Sequence, residues 1–258
     1  MATLVNFNNI HKILLTKKRE LFIDLASQDW IITANKSIQQ NNAFYVALSG
    51  GSTPLAIFEN IIENKEKLLY PSRIFLFWGD ERNVPPTSKD SNYGQAMSLL
   101  GELNIPEDHV FRMPVEDPEG DSKYQEIIET VIPQASFDMI MLGVGEDGHT
   151  LSLFPNTQAV QENTRLVVFN DVPQLNTKRM TLTLPIVRKA KHIVVYVQGE
   201  NKKKIIKTLF SQSRDRVSPY PIEMISQGES PLFWILSPDA YELSDFDSIS
   251  SLHKLDIV

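Results

Sequence analysis

The chain has no cysteine in its 258 residues. That excludes disulfides, zinc–thiolate centres and cysteine nucleophiles, and agrees with a reducing compartment such as the cytoplasm. No window approaches the ~18 consecutive apolar residues of a spanning helix, and Met1 to Lys12 contains no apolar signal core, so neither membrane insertion nor secretion is expected. Cations are in deficit: a net charge of -7 would repel nucleic acid. Any anionic ligand must then be held by a local cluster of donors rather than by the overall field. Two signatures are missing as well. The Gly-Lys-Ser/Thr ending of a nucleotide P-loop does not occur, and no Gly-x-Ser-x-Gly elbow supports a serine nucleophile.

What is present supports a folded α/β protein, since 42% hydrophobic content over 258 residues can bury a substantial core. The most informative stretch is Phe137 to Thr150, where the apolar run Met139-Ile140-Met141-Leu142 stops in Gly143-Val144-Gly145-Glu146-Asp147-Gly148-His149-Thr150. A uniformly apolar run suits a parallel strand covered on both faces, and the glycines that follow let the backbone bend and approach a ligand. His149 is delivered to the strand end.

In chain order, apolar positions from Ile13 to Ile38 have a rough helical period interrupted near Ser27-Gln28-Asp29, which predicts one or two helices over residues 10–40. Residues 43–48 read as a strand, the loop Ser49-Gly50-Gly51-Ser52-Thr53 follows, and a helix runs through Ile62 with Thr53 as N-cap and Pro54 at its first position. Residues 73–78 form a second strand ending in the charged turn Gly79-Asp80-Glu81-Arg82. Helices are predicted over 92–100 and 119–132. Beyond His149, strands are predicted at 165–169, 180–184, 192–197 and 232–236, alternating with helices that include one from about Glu200 to Phe210. No repeat or linker marks a boundary, so a single domain over residues 1–258 is expected, with 244–258 as a loosely attached tail.

In a parallel sheet with right-handed crossovers, the carboxyl ends of successive strands lie along one edge, so the loops 49–53, 79–82 and 143–149 are expected to share a crevice. The first offers hydroxyls, close backbone approach and a helix N-terminus, which suits a phosphate or carboxylate; an ordinary capped turn is the alternative. The second crowds three charges and, taken alone, is as consistent with a solvated turn. The third matches Gly-x-Gly-x-x-Gly, but Pro155 leaves little room for the long helix a dinucleotide site requires. A metal site there would lack a second histidine at helical spacing. A histidine in a polar glycine loop suits general acid/base chemistry, with a structural cap as the alternative. Arg179 before one strand and Lys202 in the first turn of a helix could complete an anion site, although Lys202 also fits a solvated basic face shared with Lys203, Lys204 and Lys207.

Leu48 to Pro54, Asp80-Glu81-Arg82 with Val84-Pro85 and Ser91-Asn92, and the run from Gly143 through His149-Thr150 to Ser152-Leu153-Phe154-Pro155 together resemble the glucosamine-6-phosphate isomerase/6-phosphogluconolactonase family, on its lactonase side. The likeness continues through Arg179-Met-Thr-Leu-Thr, Gly199-Glu-Asn-Lys202 and Ser230 to Leu236. The deaminases of the family typically carry a tyrosine where Arg82 stands and a different ending after the histidine loop. Leu151 departs from the lactonases' usual alanine. The resemblance implies a Rossmann-like α/β/α sandwich with a mostly parallel central sheet, like the sugar-phosphate isomerases and deaminases. It further implies hydrolysis of 6-phosphoglucono-1,5-lactone, with glucosamine-6-phosphate deamination or non-catalytic sugar-phosphate binding as alternatives. It assigns His149, Asp80 and Arg82 to catalysis. Ser49, Gly50, Gly51, Ser52, Thr53, Arg82, Arg179 and Lys202 go to substrate and phosphate binding, and Gly143, Gly145, Asp147 and Gly148 to the loop backbone. No cofactor, metal, nucleic acid or membrane is implied, the one partner being the small-molecule lactone. A cytoplasmic monomer or weak homodimer is expected.

Overall fold

The structure is a computed structural model that describes residues 2–7, 11–210, 219–226, 230–246 and 252–253. Its first elements are strands β1 (Ala2–Phe7) and β2 (His11–Thr16), followed by helix α1 (Arg19–Asn41). Ile13 and Leu14 therefore belong to a strand, not to the helical run their spacing predicts. The cause is tertiary: β2 lies between β1 and a later strand and is buried at Ile13, Leu14 and Leu15. The interruption expected at Ser27 does not occur either. Phe22, Ala26, Trp30, Ala34 and Ile38 recur every four residues and all are buried, so one continuous helix forms around that stripe. Its end is marked by Asn42 in the left-handed conformation, with its N–H returned to the Ile38 carbonyl at 2.8 Å.

The chain continues through β3 (Phe44–Leu48), α2 (Ser52–Glu63), β4 (Ile74–Trp78), β5 (Asp80–Arg82), α3 (Asn92–Leu100), β6 (Val110–Phe111), α4 (Gly120–Val131) and β7 (Met139–Leu142). Then come β8 (Val167–Val172), β9 (Thr177–Leu182), α5 (Leu184–Val187), β10 (Ile193–Val197), α6 (Lys203–Phe210), α7 (Pro221–Ile225), β11 (Leu232–Leu236) and β12 (Leu252–His253). Nine strands form one sheet in the order β12-β1-β2-β11-β10-β7-β3-β4-β6. Pairing is parallel from β2 to β6 and antiparallel only where β1 meets β2 and β12. With its flanking helices this is the Rossmann-like α/β arrangement. A connected core runs from Ala2 to Phe246 and contains Trp30, Trp78 and Trp234, all buried.

Three expectations are corrected. Asp80-Glu81-Arg82 is not a free turn but the edge strand of a second sheet, β5-β9-β8, paired antiparallel so that Arg82 faces Arg179. β8 and β9 form a hairpin there instead of alternating with a helix. In the stretch taken as a loose tail, Phe246 is buried in the core, and residues 252–253 add to the edge of β1; residues 247–251 and 254–258 lie outside the described residues.

The order of strands positions the site. From β3 the chain builds outward through β4 to β6, then returns to place β7 on the other side of β3 and continues to β10 and β11. The loops leaving β3 and β7 thus diverge, and the crevice between them is where open parallel sheets bind ligands.

Candidate active site

The loop after β3 turns sharply into α2. Gly51 has φ 101, a conformation costly for any other residue, and it is the N-cap, with Ser52 as the first helical residue. Thr53 is therefore not the N-cap, because the positive-φ residue ends the loop two positions earlier. Pro54 stays within the first turn, where no amide proton is needed. The N-terminal residues of this 12-residue helix, Ser52 to Pro54, line the crevice, a place where helix amides favour an anion.

After β7 the chain makes a tight turn in which the Gly145 amide donates to the His149 carbonyl at 2.8 Å. The imidazole folds back over Gly145, and a Cβ there would stand 2.1 Å from Nδ1, so this close approach requires glycine. The ring stacks on Phe154 with centroids 4.1 Å apart, and its Nδ1 lies 2.5 Å from Asp147 Oδ1. An ionised aspartate only accepts hydrogen bonds, so Nδ1 carries the proton and Nε2 of the neutral ring keeps its lone pair. The His149 side chain is 30% exposed, which leaves it open to water. No long helix follows Gly148: the chain passes through turns, with Thr150 bridged to Leu153. A dinucleotide loop is thereby ruled out.

The third contribution comes from the small sheet. Asp80 is buried, with Oδ2 accepting from the Ser152 hydroxyl at 2.6 Å and its main-chain carbonyl accepting from Asn92 Nδ2 at 2.8 Å. Glu81 faces the opposite way and holds α3. Its two carboxylate oxygens accept from the amides of Arg82, Asn92 and Tyr93 and from the Ser91 hydroxyl, at 2.7 to 3.0 Å. Of the three charges in that strand, Glu81 thus serves the fold while Asp80 and Arg82 face the crevice.

Two adjoining cavities result. One, of about 180 Å³, is lined by Ser49, Gly50, Asp80, Arg82, Asn92, Gly143, Gly145, His149, Thr150, Arg179 and Lys202, with Val144 and Leu151. The other, of about 320 Å³, is lined by Ser49 to Pro54, Leu142 to Val144, Tyr196 to Gln198, Asn201 and Lys202. Together they fall within the ~300–1,000 Å³ usual for small-molecule sites. Ser49, Gly50, Gly143, Val144 and Lys202 form the wall they share.

The cavities are electrostatically unfinished. Among the described residues, Arg82, Arg179 and Lys202 form no ion pair within 4.0 Å. Arg82 donates to the Asp90 carbonyl at 2.7 Å, yet its Nε and that of Arg179 are buried without a partner. The two guanidinium groups stand on directly paired residues, an arrangement that is unfavourable until an anion lies between or beside them. Burial, and to a lesser degree the Arg82 charge, push the Arg179 pKa down, while Asp80 and Glu81 oppose the shift. Thr150 Oγ1 and Asn92 Oδ1 are also buried and unpartnered beside the same cavity. Unmet donors and acceptors gathered around one hollow are what a ligand site leaves behind.

Every expected binding residue therefore lines one cavity or both. Asp147 and Gly148 line neither: Asp147 buttresses His149, and Gly148 is packed against the Tyr220 ring. Asn92, Thr150, Gln198 and Asn201 are lining residues that residue-by-residue reading did not select. Three of them had a signal as members of the family-like motifs, Asn92 beside Ser91, Thr150 beside His149 and Asn201 beside Lys202; Gln198 had none.

Among the described residues no group of three or more histidine, aspartate and glutamate side chains could hold a metal ion, and no helix is long and apolar enough to cross a membrane. The fold and the site define an α/β protein whose parallel sheet gathers, at its switch point, an Asp–His pair, a helix N-terminus and three cations without ion pairs among the described residues, a set whose chemistry suits a small anion beside an imidazole. The chain belongs to the glucosamine-6-phosphate isomerase/6-phosphogluconolactonase family, whose model matches residues 17–234. It is 63% identical over 258 residues to the 6-phosphogluconolactonase of Chlamydia pneumoniae and 49% identical over 258 residues to that of Chlamydia trachomatis serovar D, each match covering 100% of both chains. Among solved structures, the 6-phosphogluconolactonase from Trypanosoma cruzi superposes with a TM-score of 0.80 at 24% identity, covering 96% of this chain and 99% of that one, which establishes the shared fold.

Proposed function

We propose that this chain hydrolyses 6-phospho-D-glucono-1,5-lactone to 6-phospho-D-gluconate, the second step of the oxidative pentose phosphate pathway. The observation that carries the reading is the single cavity in which His149 stands with Arg82, Arg179, Lys202 and the Ser49-Gly50 turn. The phosphate sits where the cavities meet, against Ser49 to Thr53 and the α2 amides, with Lys202, Arg179 and Arg82 supplying charge. The sugar ring extends toward His149. Nε2 takes a proton from water as the water oxygen attacks C1, and the carbonyl electrons move onto its oxygen, stabilised by the nearby cations. When the intermediate collapses, the C1–ring-oxygen bond breaks and the imidazolium returns the proton to the departing ring oxygen. Asp147 holds the ring throughout, and Asp80 orients a sugar hydroxyl or the neighbouring Arg179.

On this reading the enzyme is one domain, a monomer or weak homodimer, in a cytoplasmic setting that a cysteine-free composition suits. The test is lactone hydrolysis measured by pH-stat, or by coupling to a 6-phosphogluconate dehydrogenase, against an enzyme-free control that accounts for spontaneous ring opening. Acceleration over that control is expected. No acceleration, or release of ammonia from glucosamine 6-phosphate, would overturn the reading.

A further inference from the structure

Asn92, the first residue of α3, touches two of the three converging segments with one side chain. Its Nδ2 donates to the Asp80 carbonyl at 2.8 Å and lies 3.3 Å from Asp80 Oδ1, while its own amide donates to Glu81 at 2.8 Å. Turning the amide over would set Oδ1 against two oxygens of Asp80, so those partners fix Oδ1 on the far side. There it meets the turn after β3. A Cβ on Gly50 would lie 1.8 Å from Asn92 Oδ1, 2.3 Å from Cγ and 2.9 Å from Nδ2, so the three nearest atoms all belong to this one side chain. Asn92 is buried, its Oδ1 has no hydrogen-bond partner, and it lines the cavity that holds His149.

We infer that Asn92 is a positioning residue, a spacer that fixes the distance between the Gly50 turn and the Asp80–Arg82 strand and so sets the width of the slot for the sugar phosphate. The inference rests on the lactonase reading, which places the phosphate at that turn. A buried carbonyl oxygen without a donor is costly, and here its position keeps Gly50 at the separation the slot needs. Gly50 does not have a positive φ, so alanine there is opposed by Asn92 and not by backbone strain.

The experiment is a double-mutant cycle with Gly50→Ala, Asn92→Ala and the pair, read by lactone kcat and KM, by calorimetric Kd for 6-phosphogluconate, and by circular-dichroism melting. Gly50→Ala forces the turn and the strand apart and should lower kcat/KM and weaken product binding about 10²-fold, as a displacement on the order of 1 Å does. Asn92→Ala removes the spacer and should cost about tenfold, mostly in KM and Kd. The pair removes the clash, so it should fall within about threefold of Asn92→Ala alone. Asn92→Asp, which keeps the size but sets a carboxylate against Asp80, should be worse than Asn92→Ala. Multiplying losses in the pair, or wild-type KM and Kd in Asn92→Ala, would overturn the inference. If Gly50→Ala does not fold, recovery of a cooperative melt in the pair supports the spacer role, and its absence sinks it. Wild-type enzyme that binds 6-phosphogluconate without opening the lactone would refute the activity but leave the cycle readable through Kd.

Discussion

Chemistry in this protein is concentrated in a few side chains whose environments differ sharply. His149 is stacked, tethered and open to water, which is what an acid/base group needs. His149→Asn should lower kcat by roughly 10²–10⁴ while leaving 6-phosphogluconate binding nearly intact, measured by steady-state kinetics and calorimetry. Unchanged turnover would remove the histidine from the mechanism. The hydrogen bonds of the Asp147 side chain go, among the described residues, to the His149 imidazole and amide, so Asp147→Asn should reduce kcat about tenfold with little change in KM, because the ring loses its tautomer preference but not its stacking. The cations act differently. Arg179→Ala should raise KM and the product Kd by about tenfold or more, since a charged hydrogen bond to an anion contributes ~1.5–3 kcal/mol.

At the scale of elements, the Asp80–Arg82 strand shows how one tripeptide divides its work. Glu81 caps α3 from outside the helix, satisfying the amides of Asn92 and Tyr93 that would otherwise be orphaned. Glu81→Ala should destabilise the fold by roughly 2–4 kcal/mol, read by urea unfolding, because buried donors are left without acceptors. Its loss should also lower activity indirectly, since α3 carries Asn92. Helix α1 shows the opposite case: the sequence carried its helical period only as a rough, interrupted pattern, and the structure runs the buried stripe Phe22, Ala26, Trp30, Ala34 and Ile38 straight across the expected break.

For the molecule as a whole, acid is the informative stress. The Glu162 carboxylate accepts from the Arg165 and Thr164 amides and the Thr164 hydroxyl, which depress its pKa to about 2. Glu116 and Glu242 are also lowered, chiefly by hydrogen bonds from Arg112 and Lys203 respectively. A depressed folded-state pKa gives stability that is complete above the unfolded value, near 4.5, and is lost as pH falls toward about 2. Denaturation midpoints should therefore drop between those limits, and Glu162→Gln should flatten the slope there; an unaltered slope would show that its hydrogen bonds do not persist in solution. Product should act in the other direction, with 6-phosphogluconate at 100 times its Kd adding about 2.7 kcal/mol.

The elements whose pattern is local were legible from residues alone: the apolar β7 run, the turn after β3, the α3 and α4 helices, and the glycine loop carrying His149. Periodicity and turn chemistry are short-range properties, so sequence expresses them directly. The strand character of His11–Thr16 and of Asp80–Arg82 was not legible, because a strand is defined by a partner distant in the chain. The opposition of Arg82 to Arg179, the helix-capping role of Glu81 and the contact of Asn92 with Gly50 are likewise matters of register and packing. Sequence by itself determined which chemical groups the protein owns and which turns present them. Tertiary structure alone decided which of those groups meet, since the crossing of the chain at β3 brings residues 49, 149 and 202 to one edge of the large sheet and the small sheet sets residues 80 and 179 against them.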